Sequence, residues 1–276
     1  MITALIGIDW GSSSVRAFRI APDGTILETR RAADGVFTGQ GPYQDRLRAL
    51  LGDWRDAPIL LCGMIGSDRG WVHAPYVEAP ATLDLKPVAA PFDDAHIVPG
   101  IAFVDGETCD VMRGEETLLA GLDAPDAVVC LPGTHSKWAT LESGRLTRFR
   151  TYMTGEIRAA MLASGAFATG VEQAASPGAF AQGLHAAGPV TAALFQARAR
   201  RLLGKLAPEH TASFVDGVLI GAEIADAPAH AVTLVAAGPI AGQYKSALAG
   251  RIGAVVDPEP LAARGLLRIA RRAGLV

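Results

Sequence analysis

Lysine is scarce in this chain: four of its 25 basic residues are lysine, a bias that reflects genomic base composition more than chemistry. Neither charge sign dominates. The 25 basic residues face 28 acidic ones, for a formal net charge of −3, which leaves no basic field for nucleic acid. Cysteine is nearly missing too. Cys62, Cys109 and Cys130 show no C-x-x-C spacing and read as free thiols in a reducing compartment. All three lie in or beside apolar runs, so all three are expected to be buried. Long hydrophobic runs are also lacking. The longest weakly charged stretch, 232–244, is broken by Gly238-Pro239 and is too short to cross a membrane. The N-terminus has no basic region ahead of its apolar run, and Asp9 interrupts that run too early for a signal peptide. A cytoplasmic location is the expectation.

What is present fits an ordinary folded globular protein. Half of the 276 residues are apolar and 19% are charged, enough for a core divided over two domains or gathered in one. The most telling stretch is Leu5-Ile6-Gly7-Ile8-Asp9-Trp10-Gly11-Ser12-Ser13-Ser14-Val15-Arg16-Ala17-Phe18. An apolar strand ends on an acidic residue, a glycine–serine turn follows, and a second apolar strand leaves it. Backbone amides and small hydroxyls in such a turn can come close to phosphate oxygens. Asp9 can hold Mg²⁺ through water, since Mg²⁺ takes one or two carboxylates beside phosphate oxygens. An ordinary β-turn with a capping aspartate reads the same residues equally well. A similar element downstream favours the phosphate reading: the strand Val128–Leu131, the small-residue turn Gly133-Thr134-His135-Ser136-Lys137, and a resumed strand at Trp138–Leu141.

Around these turns the pattern reads as alternating strands and helices. The turn Ala21-Pro22-Asp23-Gly24 separates the second strand from a third at Ile26–Arg30. Tyr43–Trp54 carries apolar residues at helical spacing. Ile59–Cys62 is a short buried strand leading into the loop Gly63-Met64-Ile65-Gly66-Ser67, at the strand end where open α/β sheets place ligands. Ile97–Val104 reads as one strand, and a helix runs from about Glu115 to Leu122. Beyond the linker Asp123–Asp126, helices are expected at Gly155–Phe167, Val190–Leu206, Phe214–Ala225, Ala241–Leu248 and Leu261–Ala273, with a strand at Thr233–Ala237.

The two turns together resemble the acetate-and-sugar-kinase, Hsp70 and actin superfamily. Further blocks narrow the resemblance: Asp9–Ala17, Cys62–Ser67, Gly70-Trp71, Asp110–Thr117, Leu131–Trp138 and Met153-Thr154-Gly155-Glu156 are similar, in order, to the 2-dehydro-3-deoxygalactonokinase family. The resemblance implies an α/β, two-domain actin-like ATPase (ribonuclease H-like) fold with a central mixed sheet in each domain. The domains would be residues 1–125, with the first phosphate hairpin and the sugar-acid site, and 126–276, with the second hairpin and the adenosine site.

The activity implied is phosphorylation of 2-dehydro-3-deoxy-D-galactonate at its C6 hydroxyl, with ATP and Mg²⁺. Two alternatives stay open: a kinase of another sugar acid such as 2-dehydro-3-deoxygluconate, or a non-catalytic nucleotide-binding regulatory protein. Such transfer needs phosphates held and an acceptor hydroxyl in line. Gly11, Ser12, Ser13 and Ser14 supply donors from one turn, and Gly133, Thr134, Ser136 and Lys137 from the other. Arg16 reads either as an ion-pair partner or as an active-site cation. Superfamily sugar kinases carry the acceptor's carboxylate at a helix start before the second hairpin, where this chain has Glu115 and Glu116, with Asp110 as a rival. A helix's first turn also favours acidic residues for its dipole alone. The substrate's carboxylate would take an arginine, Arg113 or Arg69. Ser67, Met64 and Trp71 would line the sugar pocket, and Gly238-Pro239 resembles the superfamily's adenosine motif. Asp216-Gly217 and Gly221-Ala222-Glu223 read as helix-start and packing features. The expected partner is a small-molecule sugar acid, with no nucleic acid and no membrane, and a homodimer is left open.

Overall fold

The computed structural model describes residues 2–163, 167–168 and 170–276. The chain forms two compact units, one of Met1–Ala127, Ala139–Phe149 and Asp257–Val276, the other of Val128–Trp138 and Arg150–Val256.

In the first unit, β1 (Leu5–Trp10), β2 (Val15–Ile20) and β3 (Ile26–Ala32) form an antiparallel meander. After α1 (Tyr43–Leu51), β4 (Ile59–Cys62) lies parallel to β1 and sets Asp9 opposite Cys62. The short strands β5 (Val77–Glu78), β6 (Ala81–Thr82) and β7 (Val88–Ala89) precede β8 (Ala95–Ile97), β9 (Ile101–Asp105) and β10 (Thr108–Met112). The main sheet is mixed, in the order β3-β2-β1-β4-β8-β7, with β8 parallel to β4. β1 is buried along nearly its whole length, with Leu5, Ile6, Ile8 and Trp10 in the interior and only Asp9 partly exposed. One core gathers Ile6, Ile8, Trp10, Leu47, Leu51, Leu61 and Ile65.

α2 (Glu115–Gly121) follows β10. From there β11 (Ala127–Leu131), β12 (Ser136–Glu142) and β13 (Arg145–Tyr152) carry the chain between the units. The second unit adds α3 (Thr154–Ala163), α4 (Pro177–Ala186), α5 (Val190–Leu202), α6 (Thr211–Asp226), β14 (Val232–Val235), α7 (Gly238–Ala247) and β15 (Ile252–Val256). β14 runs parallel to β11 on one side and β15 on the other. α4 and α6 cross at Gly183 and Gly217, so closely that a Cβ on either would come within 2.1 Å of a carbonyl oxygen of its partner helix.

The chain returns to the first unit through α8 (Pro258–Arg272), a strongly amphipathic helix, which Asp257 caps by accepting the Glu259 amide. Its Leu266 fills the space over Gly7. Against α2 the approach is tighter still: a Cβ on Gly265 would stand 1.9 Å from the Thr117 carbonyl oxygen, and one on Gly121 would stand 2.3 Å from that of Leu261. Backbone-to-backbone packing of this kind fixes where α2 begins.

The structure departs from the sequence reading in several places. Residues 139–149 and 257–276 belong with the first unit, so the division is not a single cut at 125/126. The physical reason at the C-terminus is the apolar stripe of α8, which covers β1 and α2. The run 97–104 breaks at Gly100, where the Tyr76 ring and the Met112 carbonyl press on the backbone, giving β8 and β9. Cys62 and Cys130 are buried, whereas Cys109 sits exposed on the edge strand β10 beside outward-facing Val111. α4 has no counterpart in the reading, because its glycines blur the helical pattern. The helix expected to reach Phe167 is seen to Ala163, and its remainder includes residues 164–166, outside the described residues. Among the described residues no helix is long and apolar enough to cross a membrane.

Candidate active site

The first turn sits where β1 ends, and its hydrogen bonds are one-sided. The carbonyls of Gly11 and Ser12 accept the amides of Val36 and Phe37, that of Ser13 accepts the Thr38 hydroxyl, and that of Ser14 accepts the Gly11 amide. The amides of Ser12, Ser13 and Ser14 donate to no group among the described residues, and all three side chains are exposed. A turn with its acceptors used and its donors open can receive an anion. The backing loop presses close, since a Cβ on Gly35 would overlap the Ser12 carbonyl at 2.3 Å. Arg46 holds that loop: its buried guanidinium pairs with Asp34 at 2.9 Å, donates to the Gly35 carbonyl at 2.8 Å, and stacks over Trp10 and Tyr43.

Asp9 projects beside this turn. One carboxylate oxygen accepts Arg16 at 2.5 Å, so Arg16 is an ion-pair partner. The other oxygen stands 3.3 Å from where a Gly63 side chain would begin. Gly63, at φ 89°, has its Cβ position only 2.8 Å from the Trp10 carbonyl, so no other residue fits there without moving β1. Gly114, at φ 113°, packs on Gly63 and brings the start of α2 to the same place. A carboxylate with one oxygen already paired suits a hydrated Mg²⁺ carried by phosphates. A protein cage is not offered, as no group of three metal-ligating side chains gathers among the described residues.

The two glutamates of α2 differ sharply. Glu116 has no exposure and accepts the Gly114 amide at 2.6 Å. Burial, with the neighbouring Glu115 charge, pushes its pKa up to about 8, so it is mostly neutral at pH 7. Glu115 is half-buried and accepts the Arg113 amide at 3.1 Å. Asp110, on β10, accepts the Val111 amide at 2.7 Å.

Of the expected sugar contacts, Ser67 and Arg113 stand out. The Ser67 hydroxyl and the Arg113 Nε and Nη1 are buried without a partner among the described residues, whereas Arg113 Nη2 donates to the Ala74 carbonyl at 2.9 Å. The guanidinium lies over Tyr76, and Nη1 is 3.0 Å from the Cβ position of Gly66. Buried donors of this kind call for an acceptor. Arg69 is exposed, with its guanidinium over Phe37 of the backing loop. Met64 and Trp71 pack partly buried on the core, Trp71 between Tyr43 and Phe92, so they act as wall more than as contact.

In the second unit, Gly133, Thr134 and His135 are exposed, and a Cβ on Gly155 at the start of α3 would come within 2.5 Å of the Gly133 carbonyl. The His135 ring meets Glu156 at 2.5 Å. Two expected donors do not face outward. Ser136 has no exposure and turns its hydroxyl to Glu223 at 2.7 Å, and Lys137 is buried with Nζ on the His135 carbonyl at 3.3 Å. The alternation of β12 sends Ser136 and Trp138 to one interior face. Gly238, at φ 63°, and Pro239 open α7, both exposed. Asp216 ties α3 and α7 to α6 through Arg158 and Gln243.

The sequence reading passed over Glu223 and Asp216 as features of packing. Each is a carboxylate in an otherwise apolar helix, and that contrast was the available signal.

These features define a class. Mixed sheets in two α/β units, with a donor turn at the end of the first strand, make the fold that of actin-like ATPases and sugar kinases. The activator of 2-hydroxyisocaproyl-CoA dehydratase from Clostridium difficile shares this fold at 14% identity, with a TM-score of 0.54 over 99% of this chain and 96% of its own. The chain belongs to the 2-keto-3-deoxy-galactonokinase family, which it matches over residues 9–269. It is 36% identical to the 2-dehydro-3-deoxygalactonokinase of Escherichia coli strain K12, over 90% of each chain. A Sinorhizobium meliloti protein solved as a candidate 2-dehydro-3-deoxygalactonokinase is 35% identical, with a TM-score of 0.83 over 97% of this chain and 98% of that one.

Proposed function

We propose that this sugar-acid kinase transfers the γ-phosphoryl group of ATP to the C6 hydroxyl of 2-dehydro-3-deoxy-D-galactonate, releasing ADP. The observation that carries this reading is the family match, which spans both turns and the start of α2. The amides and hydroxyls of Ser12, Ser13 and Ser14, with Gly11, hold phosphate oxygens from the first unit. Gly133 and Thr134 are the phosphate contacts of the second turn, and Gly238 and Pro239 take the adenosine. Asp9 holds Mg²⁺ through water with its unpaired oxygen, and the ion supplies charge neutralisation at the phosphates when bound.

Glu115 orients the C6 hydroxyl and accepts its proton as the oxygen bonds to the γ-phosphorus and the bond to the β–γ bridging oxygen breaks. Glu116, neutral and buried, keeps the Gly114 amide satisfied and the helix start in place. The sugar acid's carboxylate is the acceptor that Arg113 and Ser67 lack, with Arg69 at the exposed side. Met64 and Trp71 shape the wall. The metabolic setting is carbohydrate breakdown in the cytoplasm.

Steady-state kinetics at pH 7 test the assignment of roles. Glu115→Gln is expected to lower kcat by about 10²- to 10⁴-fold, with Glu116→Gln within about twofold of the parent, since glutamine reproduces its neutral form. Equal losses in the two variants would overturn the assignment.

A further inference from the structure

We propose that Glu223 is the positioning residue of the second phosphate turn, and that Ser136 serves this carboxylate and not the phosphates. The proposal rests on reading Gly133 and Thr134 as phosphate contacts. Glu223 lies on α6 at 2% exposure and gathers four neutral donors. Its Oε1 accepts the Ser136 hydroxyl at 2.7 Å and the Trp138 indole N–H at 2.8 Å. Its Oε2 accepts the Tyr244 hydroxyl at 2.8 Å and the Thr154 hydroxyl.

The four donors come from the places that set the turn's shape. Ser136 and Trp138 open the strand that leaves it. Thr154 begins α3, and the next residue, Gly155, packs on the Gly133 carbonyl. Tyr244 lies on α7, the helix that starts at Gly238. One buried carboxylate thereby joins the turn to α3 and α7.

Proton counting decides the role of Ser136. A hydroxyl has one proton to give, and here it goes to Glu223. Phosphate oxygens need donors, and Ser136 has no exposed surface through which to offer one. The second turn therefore meets phosphate through Gly133 and Thr134, with Ser136 as internal scaffold.

The test is a kinetic cycle on the full chain, with binding of Mg·ADP alone as a second readout. Ser136→Ala and Tyr244→Phe are each expected to raise KM for ATP roughly five- to tenfold, the scale of one lost hydrogen bond in a network. KM for the sugar acid should stay within about twofold, because the first unit holds that ligand. Glu223→Ala should exceed either single change, Glu223→Gln should recover most of the loss, and adding Ser136→Ala to Glu223→Ala should cost nothing more. If Glu223→Ala does not fold, Ser136→Ala with Tyr244→Phe carries the test, their combined effect falling short of the product of the two. Full multiplication in either cycle, or equal rises in both KM values, would overturn the proposal. Failure of the parent protein to bind Mg·ADP would overturn the phosphate reading beneath it.

Discussion

Replacing Glu116 with glutamine should make the protein's stability less sensitive to pH. The carboxyl is fully buried, and burial together with the Glu115 charge moves its pKa from 4.5 to about 8. In the unfolded chain it ionises near 4.5. Between those two values the folded state binds a proton that the unfolded state has lost, so unfolding releases a proton and rising pH favours it. Stability from this group is therefore full below about pH 4.5 and lost as pH rises toward 8, with a slope approaching about −1.4 kcal/mol per unit. From pH 5 to pH 7 the loss comes to about 2–3 kcal/mol. Glutamine keeps an acceptor for the Gly114 amide and cannot ionise, so it removes that slope. Urea unfolding of both proteins from pH 5 to pH 9 isolates the effect, since other titrating groups cancel in the difference. The variant should gain about 2–3 kcal/mol on the parent between pH 5 and 7, with the gain levelling off above pH 8. A difference that stays constant across the range would refute the reasoning.

Other expectations follow from particular contacts. Gly265→Ala must push α8 off the Thr117 carbonyl, so it should cost about 1–3 kcal/mol in unfolding free energy and lower kcat by shifting the start of α2. Arg46→Ala should cost about 3 kcal/mol, at the low end for a broken buried pair because Asp34 is partly exposed, and should weaken Mg·ADP binding in a titration by loosening the loop behind Ser12 and Ser13. Native protein should show one fast-reacting thiol, Cys109, with Cys62 and Cys130 appearing only in denaturant, since burial pushes both thiols up and shields them.

Much of the first unit's candidate site was legible in the sequence because local chemistry determines its geometry. A strand ending in Asp9, followed by glycine and three serines, specifies a tight turn whatever surrounds it. The loop after β4 and the glutamates after Gly114 were legible for the same reason. What escaped was settled by distant residues. The open amides of Ser12 to Ser14 mean little until the loop of Asp34 to Thr38 is seen to occupy the carbonyls of Gly11, Ser12 and Ser13. Ser136 and Lys137 read as phosphate donors from their neighbours, yet strand alternation and Glu223, 87 positions from Ser136, turn the serine inward. The final helix gave no sign of its unit, because an apolar stripe reports that a helix packs and not what it packs on. Gly7, Gly121 and Gly265 carried that information as the small partners of a close contact.

The central claim is tested most directly by ADP release from Mg·ATP with 2-dehydro-3-deoxy-D-galactonate, its gluconate epimer, or no sugar acid, with the product examined by phosphorus and carbon NMR. The account predicts turnover that depends on the galactonate form, a phosphate ester on C6, and loss of turnover in Asp9→Asn. Folded protein that releases no ADP in response to either sugar acid would contradict it.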